Sequence, residues 1–477
     1  MNDRYALRQS ELAHLAAVCE KHPELFLERT FVENDAALSE FGVRIPGKDL
    51  LPTGMVKLWP EDFIVEEISL DGAVREITGS PAVDELAEGT TVYATLVKCG
   101  LSTIQAAEDI ARQLGIRKEQ IAYAGIKDKD AITGQRISMR GTSLERASQV
   151  SSPYFFLRDL ASGKGAMEKG RLRGNRFTIL VRTPDSLREG EAAYALSRAL
   201  RSTHERGFYN FFYLQRFGTP RLRNFLWAKD LMLGRDEAAL LDFLTYPATR
   251  EIGYFKEIRG AVRNAFGNWD EVRRILDPFP LLFEQELKIV DHLRAHPEDI
   301  GGAFQTIPEQ LTMWMYALTS FFFNQKISQH LMRGEEPPSM LPFFLSPDRA
   351  EQELYRDLLE PHGLYPVPLK NLRRFPMIQV RSRLTATRDK LNLTKGEVID
   401  EGLVLQFELG KGQYATTYLS HLFNLVAGKP PECLPSKRTD TRELLGLLPI
   451  ADTISRFDSI IGSKEESILN SLRERDA

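Results

Sequence analysis

The chain has 477 residues, of which 43% are hydrophobic and 27% charged, a composition typical of a soluble globular protein with two or three domains. Its 62 basic and 66 acidic residues give a net charge of -4, which excludes a protein that is basic overall, so a site for a polyanion must be a local patch. Cys19, Cys99 and Cys433 are too far apart for a disulfide framework or a CxxC metal site. Because there is no apolar run of about 18 residues and no secretory signal pattern, we expect a cytoplasmic protein.

The first 52 residues are predicted to form an extension to the main fold. Leu7, Leu12, Leu15 and Val18 recur near helical spacing, which predicts a helix. A polar stretch that ends at Pro52 follows, and no chemistry is assigned to this segment.

Residues 59–68 are predicted to form a strand that carries a carboxylate on an apolar face. Phe63, Val65 and Glu67 alternate onto the same side. A carboxylate costs free energy in a dry core, so Glu67 requires a basic partner or a wet cleft there. A strand at a sheet edge, with Glu67 in solvent, fits the pattern equally well.

A strand and a capped helix are predicted next. Residues 90–98 alternate as a strand does. Ser102-Thr-Ile-Gln105 matches a capping box that begins a helix, and Gly115 is placed to end it.

Residues 123–140 contain a run of alternating charges, Lys127-Asp128-Lys129-Asp130, in a predicted tight loop between two strands. Such a run after a glycine is most often a solvated loop, whereas an aspartate in a cleft is a candidate for acid–base or nucleophilic chemistry. Metal binding by Asp128 and Asp130 is disfavoured because lysines flank these carboxylates. We take Asp128 as the chemical centre of the segment.

A basic segment follows at residues 158–182, with seven basic and two acidic side chains. It includes Arg171, Arg173 and Arg176, and residues 174–182 alternate as a strand. Basic clusters of this kind bind phosphates and supply non-specific affinity for nucleic acids. A solvated strand end explains the same pattern, and the two interpretations stay open.

Residues 210–218 compress four aromatic residues, two amides and an arginine into one short stretch. Phe211, Phe212 and Phe217 are expected to lie mainly in the core. An aromatic ring beside Asn210 and Gln215 is also what a pocket needs to stack a flipped base and to bind its edges.

The chain from about residue 236 to 369 is predicted to be mainly helical, and we interpret it as a separate insertion. Phe321, Phe322 and Phe323 are expected in its core, and Asn324 and Gln325 on a helix surface.

The last part of the chain is predicted to return to the first fold. A second basic patch at residues 370–390 precedes a strand at 403–409 and a helix with Tyr418, Leu422 and Leu425 on one face. Residues 436–477 are predicted to be a charged tail with one or two short helices and no assigned role.

Five stretches, taken together and in this order, resemble the TruD family of tRNA pseudouridine synthases. Together they bracket most of residues 53–430. One such stretch can match by chance, whereas a chance match to all five in this order is rare. The five stretches are residues 54–67 with the core Pro-Glu-Asp-Phe-x-Val-x-Glu, Ala124-Gly-x-Lys-Asp-x-x-Ala-x-Thr-x-Gln135, Gly174-Asn-x-Phe177, Asn210-x-Phe-x-x-Gln-Arg-Phe-Gly218 and Leu405-x-Phe-x-Leu-x-x-Gly-x-Tyr-Ala-Thr416.

The resemblance implies an α+β fold: a pseudouridine synthase-type catalytic domain on a mixed, largely antiparallel sheet, with an inserted, mainly helical domain. Together with the composition along the chain, it predicts five parts. These are an N-terminal extension (1–52), the first part of the catalytic domain (53–235), the inserted domain (236–369), the second part of the catalytic domain (370–435) and a C-terminal tail (436–477).

The resemblance also implies roles for individual residues. Asp128 matches the family's catalytic aspartate, and Lys127 is a candidate for the cation that keeps it ionised. Because neighbours along a strand point to opposite faces, the alternative is that Lys127 serves the fold or binds a phosphate. Phe212 is expected to stack the flipped uracil, and Asn210 to orient the base or the aspartate loop. Glu67 is expected to brace a basic partner near the site.

The implied partner is tRNA or another structured RNA, bound in part by Arg171, Arg173 and Arg176, with no cofactor, metal or membrane, and the chain is expected to be a monomer. Tyr213 departs from the family, which commonly has a small residue there. A non-catalytic RNA-binding or RNA-folding factor is the main alternative. A metal-dependent nuclease is disfavoured because the sequence shows no convincing ligand cluster.

Overall fold

The computed structural model describes residues 4–79, 88–378 and 383–462. It divides into two compact units. We call the described residues of 50–208 and 390–462 the sheet unit, and those of 4–49 and 209–389 the helical unit. These limits differ from the predicted ones, because the N-terminal segment and residues 209–235 and 370–389 belong to the helical unit, and residues 436–462 belong to the sheet unit.

The strands are concentrated in the sheet unit. In chain order they are β1 (Thr30–Glu33), β2 (Thr53–Met55), β3 (Phe63–Ile68), β4 (Thr91–Lys98), β5 (Ile121–Tyr123), β6 (Ile132–Met139), β7 (Ser151–Ser152), β8 (Phe155–Gly163), β9 (Gly174–Arg182), β10 (Phe208–Tyr209), β11 (Met340–Pro342), β12 (Leu384–Ala386), β13 (Arg388–Asp389), β14 (Asn392–Ile399), β15 (Gly402–Gly410) and β16 (Asn424–Gly428).

The helices are concentrated in the helical unit. In chain order they are α1 (Arg4–Lys21), α2 (Asp35–Ser39), α3 (Thr103–Leu114), α4 (Leu144–Ser148), α5 (Gly190–Arg206), α6 (Asn224–Met232), α7 (Asp236–Thr245), α8 (Gly253–Asn264), α9 (Trp269–Leu276), α10 (Glu284–Ala295), α11 (Ile300–Gln305), α12 (Pro308–Met332), α13 (Arg349–Glu353), α14 (Arg356–Leu359), α15 (Ala415–Ser420), α16 (Thr441–Leu444) and α17 (Ala451–Arg456).

The sheet is mixed and largely antiparallel, as predicted. β9 lies between β15 and β3, and both pairings are antiparallel. Beyond β3 the order continues with β6, β4, β8 and β7, with a parallel β3–β6 pair and antiparallel pairs after it. All six residues of β3 are buried. β3 is therefore a central strand, and the predicted alternative of a sheet edge with Glu67 in solvent is wrong.

Helix α3 packs on this sheet and has the predicted ends. The Ser102 hydroxyl accepts from the backbone N–H of Gln105, the Gln105 side chain accepts from the backbone N–H of Ser102, and Gly115 ends the helix with φ of 64°. Ile110 and Leu114 of α3 are buried against Leu96 of β4 and other apolar side chains of the sheet. This packing fixes the start of α3 close to the loop between β5 and β6.

The helix predicted to carry Tyr418, Leu422 and Leu425 is only partly present. Helix α15 ends at Ser420, and Leu425 lies in β16, which pairs in parallel with β2 through Leu425 and Gly54. The apolar spacing alone fits a helix, but the hydrogen bonds of a strand ladder and the burial of Leu425 on the sheet override it.

The C-terminal segment, residues 436–462, is part of the sheet unit's core. Ile450 and Phe457 are buried in one cluster with Ile64, Val97 and Ile132. Residues 463–477 of the predicted tail lie outside the described residues. Within the described part of the chain, no helix has the length and apolar character needed to cross a membrane.

Candidate active site

Asp128 lies in the loop between β5 and β6, in the sheet unit. Its side chain is 36% exposed, whereas the neighbouring Lys127 side chain is 4% exposed. The exposure therefore alternates along the loop, which presents the Asp128 carboxylate to solvent and directs Lys127 inwards. Asp130 is also exposed.

Two lysines from other strands or loops hold Asp128. Lys57 Nζ lies 2.5 Å from Asp128 Oδ2 and 4.5 Å from the centre of the Phe63 ring. Lys57 has a φ of 61°, a left-handed conformation that is uncommon for a residue with a long side chain. From the end of β4, Lys98 Nζ donates to the main-chain carbonyl of Asp128 at 2.6 Å. Burial lowers the pKa of Lys98 to about 8.

Lys127 pairs with Glu67 instead of with Asp128. Lys127 Nζ lies 2.8 Å from Glu67 Oε2, and both side chains are buried. Glu67 also accepts from the backbone N–H of Arg136 at 3.3 Å. Glu67 thus has the basic partner that the sequence predicts, but the cation at the Asp128 carboxylate is Lys57, so the prediction that Lys127 fills that role is wrong. In this structure the Lys127 and Glu67 side chains face each other and are not presented to a substrate.

A chain of hydrogen bonds fixes the backbone of the loop. The Thr103 hydroxyl, at the start of α3, accepts from the N–H of Lys127 at 2.9 Å and donates to Gln135 Oε1 at 2.8 Å. Gln135 Nε2 in turn donates to the carbonyl of Gly125 at 3.0 Å. Helix α3 and β6 therefore position both sides of the turn that carries Asp128.

Lys57 and Lys98 are absent from the residues that the sequence predicts for the site. A signal for Lys98 exists, because it continues the alternation of Val92, Ala94 and Leu96 and so places a lysine on an apolar strand face. Lys57 lies inside the first family motif, but no periodicity marks it, and its left-handed backbone is visible only in the structure.

Asn210 belongs to the helical unit, where its amide is already bonded. Its Nδ2 donates to the carbonyl of Ala386 at 3.0 Å, and its backbone N–H donates to the carbonyl of Thr387 at 2.9 Å. These contacts fix the entry to the 210–218 segment.

Phe212 is buried in the helical unit with its backbone held by one side chain. Asn324 Oδ1 accepts from the N–H of Phe212 at 2.9 Å, and Asn324 Nδ2 donates to the carbonyls of Phe212 at 2.8 Å and of Phe41 at 3.1 Å. The Phe212 ring, 6% exposed, packs edge to face with Phe323 and near Phe343. Asn324 is fully buried, so its predicted place on a helix surface is wrong.

Tyr213, the departure from the family pattern, faces the interior of the helical unit. Its hydroxyl donates to Glu33, which also pairs with Arg250 at 2.8 Å. Burial and the neighbouring Glu33 carboxylate raise the pKa of Tyr213 well above its ordinary value. The extension thus supplies a partner for the larger side chain.

The three predicted arginines of the basic segment have different surroundings. Arg171 is exposed and pairs with Glu168 at 3.3 Å, and Arg173 is exposed and forms no ion pair with a described residue. Arg176 pairs with Glu66 at 2.7 Å and with Glu76 at 2.6 Å. Burial opposes its charge, but these carboxylates raise the pKa of Arg176 above its ordinary value. Arg176 is therefore an internal partner of β3, which contradicts its predicted role in binding RNA.

Two arginines of the second predicted basic patch are engaged in ion pairs. Arg374 pairs with Asp236, and Arg388 pairs with Glu336 at 2.9 Å and donates to the Tyr209 hydroxyl at 2.6 Å. Arg381 of the same patch lies outside the described residues. Among the described residues, no cluster of three or more His, Cys, Asp or Glu side chains is arranged to hold a metal ion.

The family model described as tRNA pseudouridine synthase D (TruD) matches residues 51–340. The chain belongs to this family. It is therefore a pseudouridine synthase, an isomerase. The match contains the Asp128 loop, Lys57, Lys98 and the 210–218 segment.

Relatives agree with this assignment. A protein of Methanocaldococcus jannaschii named "Probable tRNA pseudouridine synthase D 1" is 29% identical over 389 residues, which cover 78% of this chain and 95% of the relative. A "Probable tRNA pseudouridine synthase D" of Methanopyrus kandleri is 29% identical over 69% of this chain and 84% of its own length. A crystal structure of a Methanosarcina mazei protein named "Putative tRNA pseudouridine synthase D (TruD)" has a TM-score of 0.62 at 23% identity, and the match covers 81% of this chain and 97% of that one. It shows the same fold.

Proposed function

We propose that this chain converts uridine to pseudouridine in tRNA, at position 13, and that Asp128 is the catalytic carboxylate. The bond between C1′ of the ribose and N1 of uracil breaks, the base rotates while it is held, and a bond from C1′ to C5 forms. The proton on C5 is released and N1 gains one, so that substrate and product are isomers and no oxidant is required.

The exposed Asp128 carboxylate, paired with the ammonium of Lys57, is the observation that carries the proposal. A carboxylate attacks a carbon or removes a proton in its ionised form, and the adjacent ammonium of Lys57 holds this carboxylate in place. The loop backbone is fixed by Lys98 and Thr103, so little reorganisation is needed when a substrate arrives.

Other residues serve the same reaction less directly. We assign stacking of the flipped uracil to Phe212 and fixation of the segment beside it to Asn210, through its bond to Ala386. Arg173 and Arg171 bind the RNA backbone. Since the Phe212 ring is buried, its stacking on uracil requires the ring surface to become accessible when RNA binds.

The test follows tritium release from tRNA labelled at uridine C5, with excess chelator and with strand length monitored. Wild-type protein is expected to release tritium without cleavage, and a transcript with cytidine at position 13 is expected to release none from that site. Asp128→Asn should abolish release while RNA binding stays within about threefold, because the substitution removes only the charge. Asp130→Asn is the matched control and should release tritium at the wild-type rate.

Three outcomes would contradict the proposal. Wild-type protein that binds tRNA and releases nothing is a binding factor, and release from the cytidine-13 transcript moves the reaction to another uridine. Full activity in Asp128→Asn would remove this carboxylate from the chemistry.

A further inference from the structure

A buried lysine that contacts no reacting atom of the proposed chemistry lies directly behind Asp128. Lys98 is the last residue of β4, on the same strand face as Val92, Ala94 and Leu96, and its side chain is fully buried. A leucine in this position would be buried without the cost of removing a charge from water. The contact that offsets this cost is the hydrogen bond from Lys98 Nζ to the main-chain carbonyl of Asp128.

Lys98 and Lys57 hold the same aspartate at two different points. Lys57 contacts the carboxylate, and Lys98 contacts the backbone of the same residue. The contact of Lys98 restricts the backbone of Asp128, and the contact of Lys57 restricts its side chain. A misplacement of about 1 Å of a reacting group costs on the order of 100-fold in rate.

We infer that Lys98 is a positioning residue for the reaction, which in its charged form fixes the backbone of Asp128, and that turnover falls when Lys98 loses its proton. This inference rests on the proposed function of Asp128. It assigns to Lys98 a role through Asp128 and no contact with the RNA.

The charges around Lys98 place its titration in an accessible range. Burial lowers its pKa to about 8, against the opposing effects of the Asp128 and Asp130 carboxylates, and the charge of Lys127 adds to the lowering. The Cys99 thiol itself, whose pKa burial raises to about 12, stays neutral in this range. Lys98 therefore changes its charge just above neutral pH.

The experiment measures single-turnover rates of the full chain on tRNA between pH 6.5 and 9.5, for wild type, Lys98→Arg and Lys98→Met. Wild-type turnover should fall by up to about tenfold per pH unit above pH 8. Lys98→Met should be slower at pH 7 by on the order of 100-fold, without this alkaline fall, and with an RNA Kd within threefold of wild type. Lys98→Arg should keep part of the activity and hold it to higher pH, because a guanidinium stays charged.

Comparison of the variants separates Lys98 from other groups that titrate. Uracil N3 also loses a proton in alkaline solution, but that loss is common to all three proteins. A wild-type profile that does not fall above pH 8, or equal falls in wild type and Lys98→Arg, overturns the inference even if Lys98→Met does not fold. Failure of the proposed function is distinguishable, because wild type would then release no tritium at any pH.

Discussion

The Asp128 loop of the sheet unit and the 210–218 segment of the helical unit carry two motifs of one family, and different forces hold them. In the loop, ammonium groups contact the side chain and the backbone of Asp128, and a further ion pair of Lys127 with Glu67 lies beneath it. In the segment, the backbone of Phe212 is held on both sides by the neutral amide of Asn324.

The two motifs are held differently because the loop presents a charged carboxylate and the segment presents an aromatic ring. An exposed carboxylate is oriented by the cations that contact it, and its orientation then depends on their charge. An aromatic ring is held by close packing, and neutral hydrogen bonds satisfy the backbone that passes through the core. Chemistry at the loop should therefore be sensitive to charge and pH, whereas the segment should be sensitive to shape.

The largest effect is expected where the buried ion pair is broken. Lys127→Met leaves Glu67 charged and unpaired inside the sheet unit, and we expect a loss of about 3–5 kcal/mol in the free energy of unfolding.

Asn324→Ala removes three neutral hydrogen bonds from the helical unit, and we expect it to lower the free energy of unfolding by roughly 2–4 kcal/mol. Denaturant unfolding measures both.

A double substitution tests whether the Glu67–Lys127 pair acts through its charges. Glu67→Gln combined with Lys127→Met removes both charges and should recover at least half of the loss, because the unpaired charge is the main cost. If the double variant is as unstable as Lys127→Met, the pair does not act through its charges.

The sequence predicts those strands and helices whose apolar residues recur with a short, regular spacing. Strands β3, β4, β9 and β15 and helix α3 follow from alternation, helical spacing and a capping box, because neighbouring residues decide them. Leu425 shows the limit of this approach. Its spacing from Tyr418 fits a helix, but pairing with β2, far away in the sequence, decides its structure.

The candidate site is predictable only in part for the same reason. Asp128 and Glu67 follow from family motifs, and Glu67 also from a charge on an apolar strand face. The lysine that contacts the Asp128 carboxylate is Lys57, which reaches it from a left-handed backbone position distant in the sequence. The sequence instead favours Lys127, because it is the neighbour of Asp128 in the chain. Asn324 is buried because the backbone of Phe212 passes beside it, which no pattern within α12 indicates.

Loss of the cation on the carboxylate should have the next largest effect, and it acts on turnover. Lys57→Met removes the ammonium from Asp128 Oδ2, and we expect a loss of on the order of 10²–10³-fold in the single-turnover rate, as for one electrostatic donor in an active site. RNA affinity should change much less. Lys118→Met is the control, since Lys118 pairs with Glu108 on the surface of the same unit. Turnover that survives in Lys57→Met would show that Asp128 needs no cation at its carboxylate.

A smaller loss is expected when the aromatic ring of the segment is replaced. Stacking of one base on an aromatic ring is worth about 1–3 kcal/mol, so Phe212→Leu should reduce turnover roughly 5–150-fold while the RNA Kd changes by less than threefold. The conservative change keeps most of the buried volume. Phe343→Leu alters the same core beside Phe212 and should leave turnover near wild type. Equal losses in both variants would mean that Phe212 acts through packing alone.

The smallest effects are expected among the arginines of the basic segment, and they should follow the surroundings of each charge. Arg173→Gln removes an exposed charge that has no ion pair within the described structure, so the salt dependence of RNA binding should weaken by about one unit of slope. Arg171→Gln should weaken it less, because Glu168 already neutralises part of that charge. Arg176→Gln should leave the slope unchanged and destabilise the protein instead, since its partners are Glu66 and Glu76. If all three variants change the slope equally, burial and pairing in the sheet unit do not decide which basic residues meet RNA.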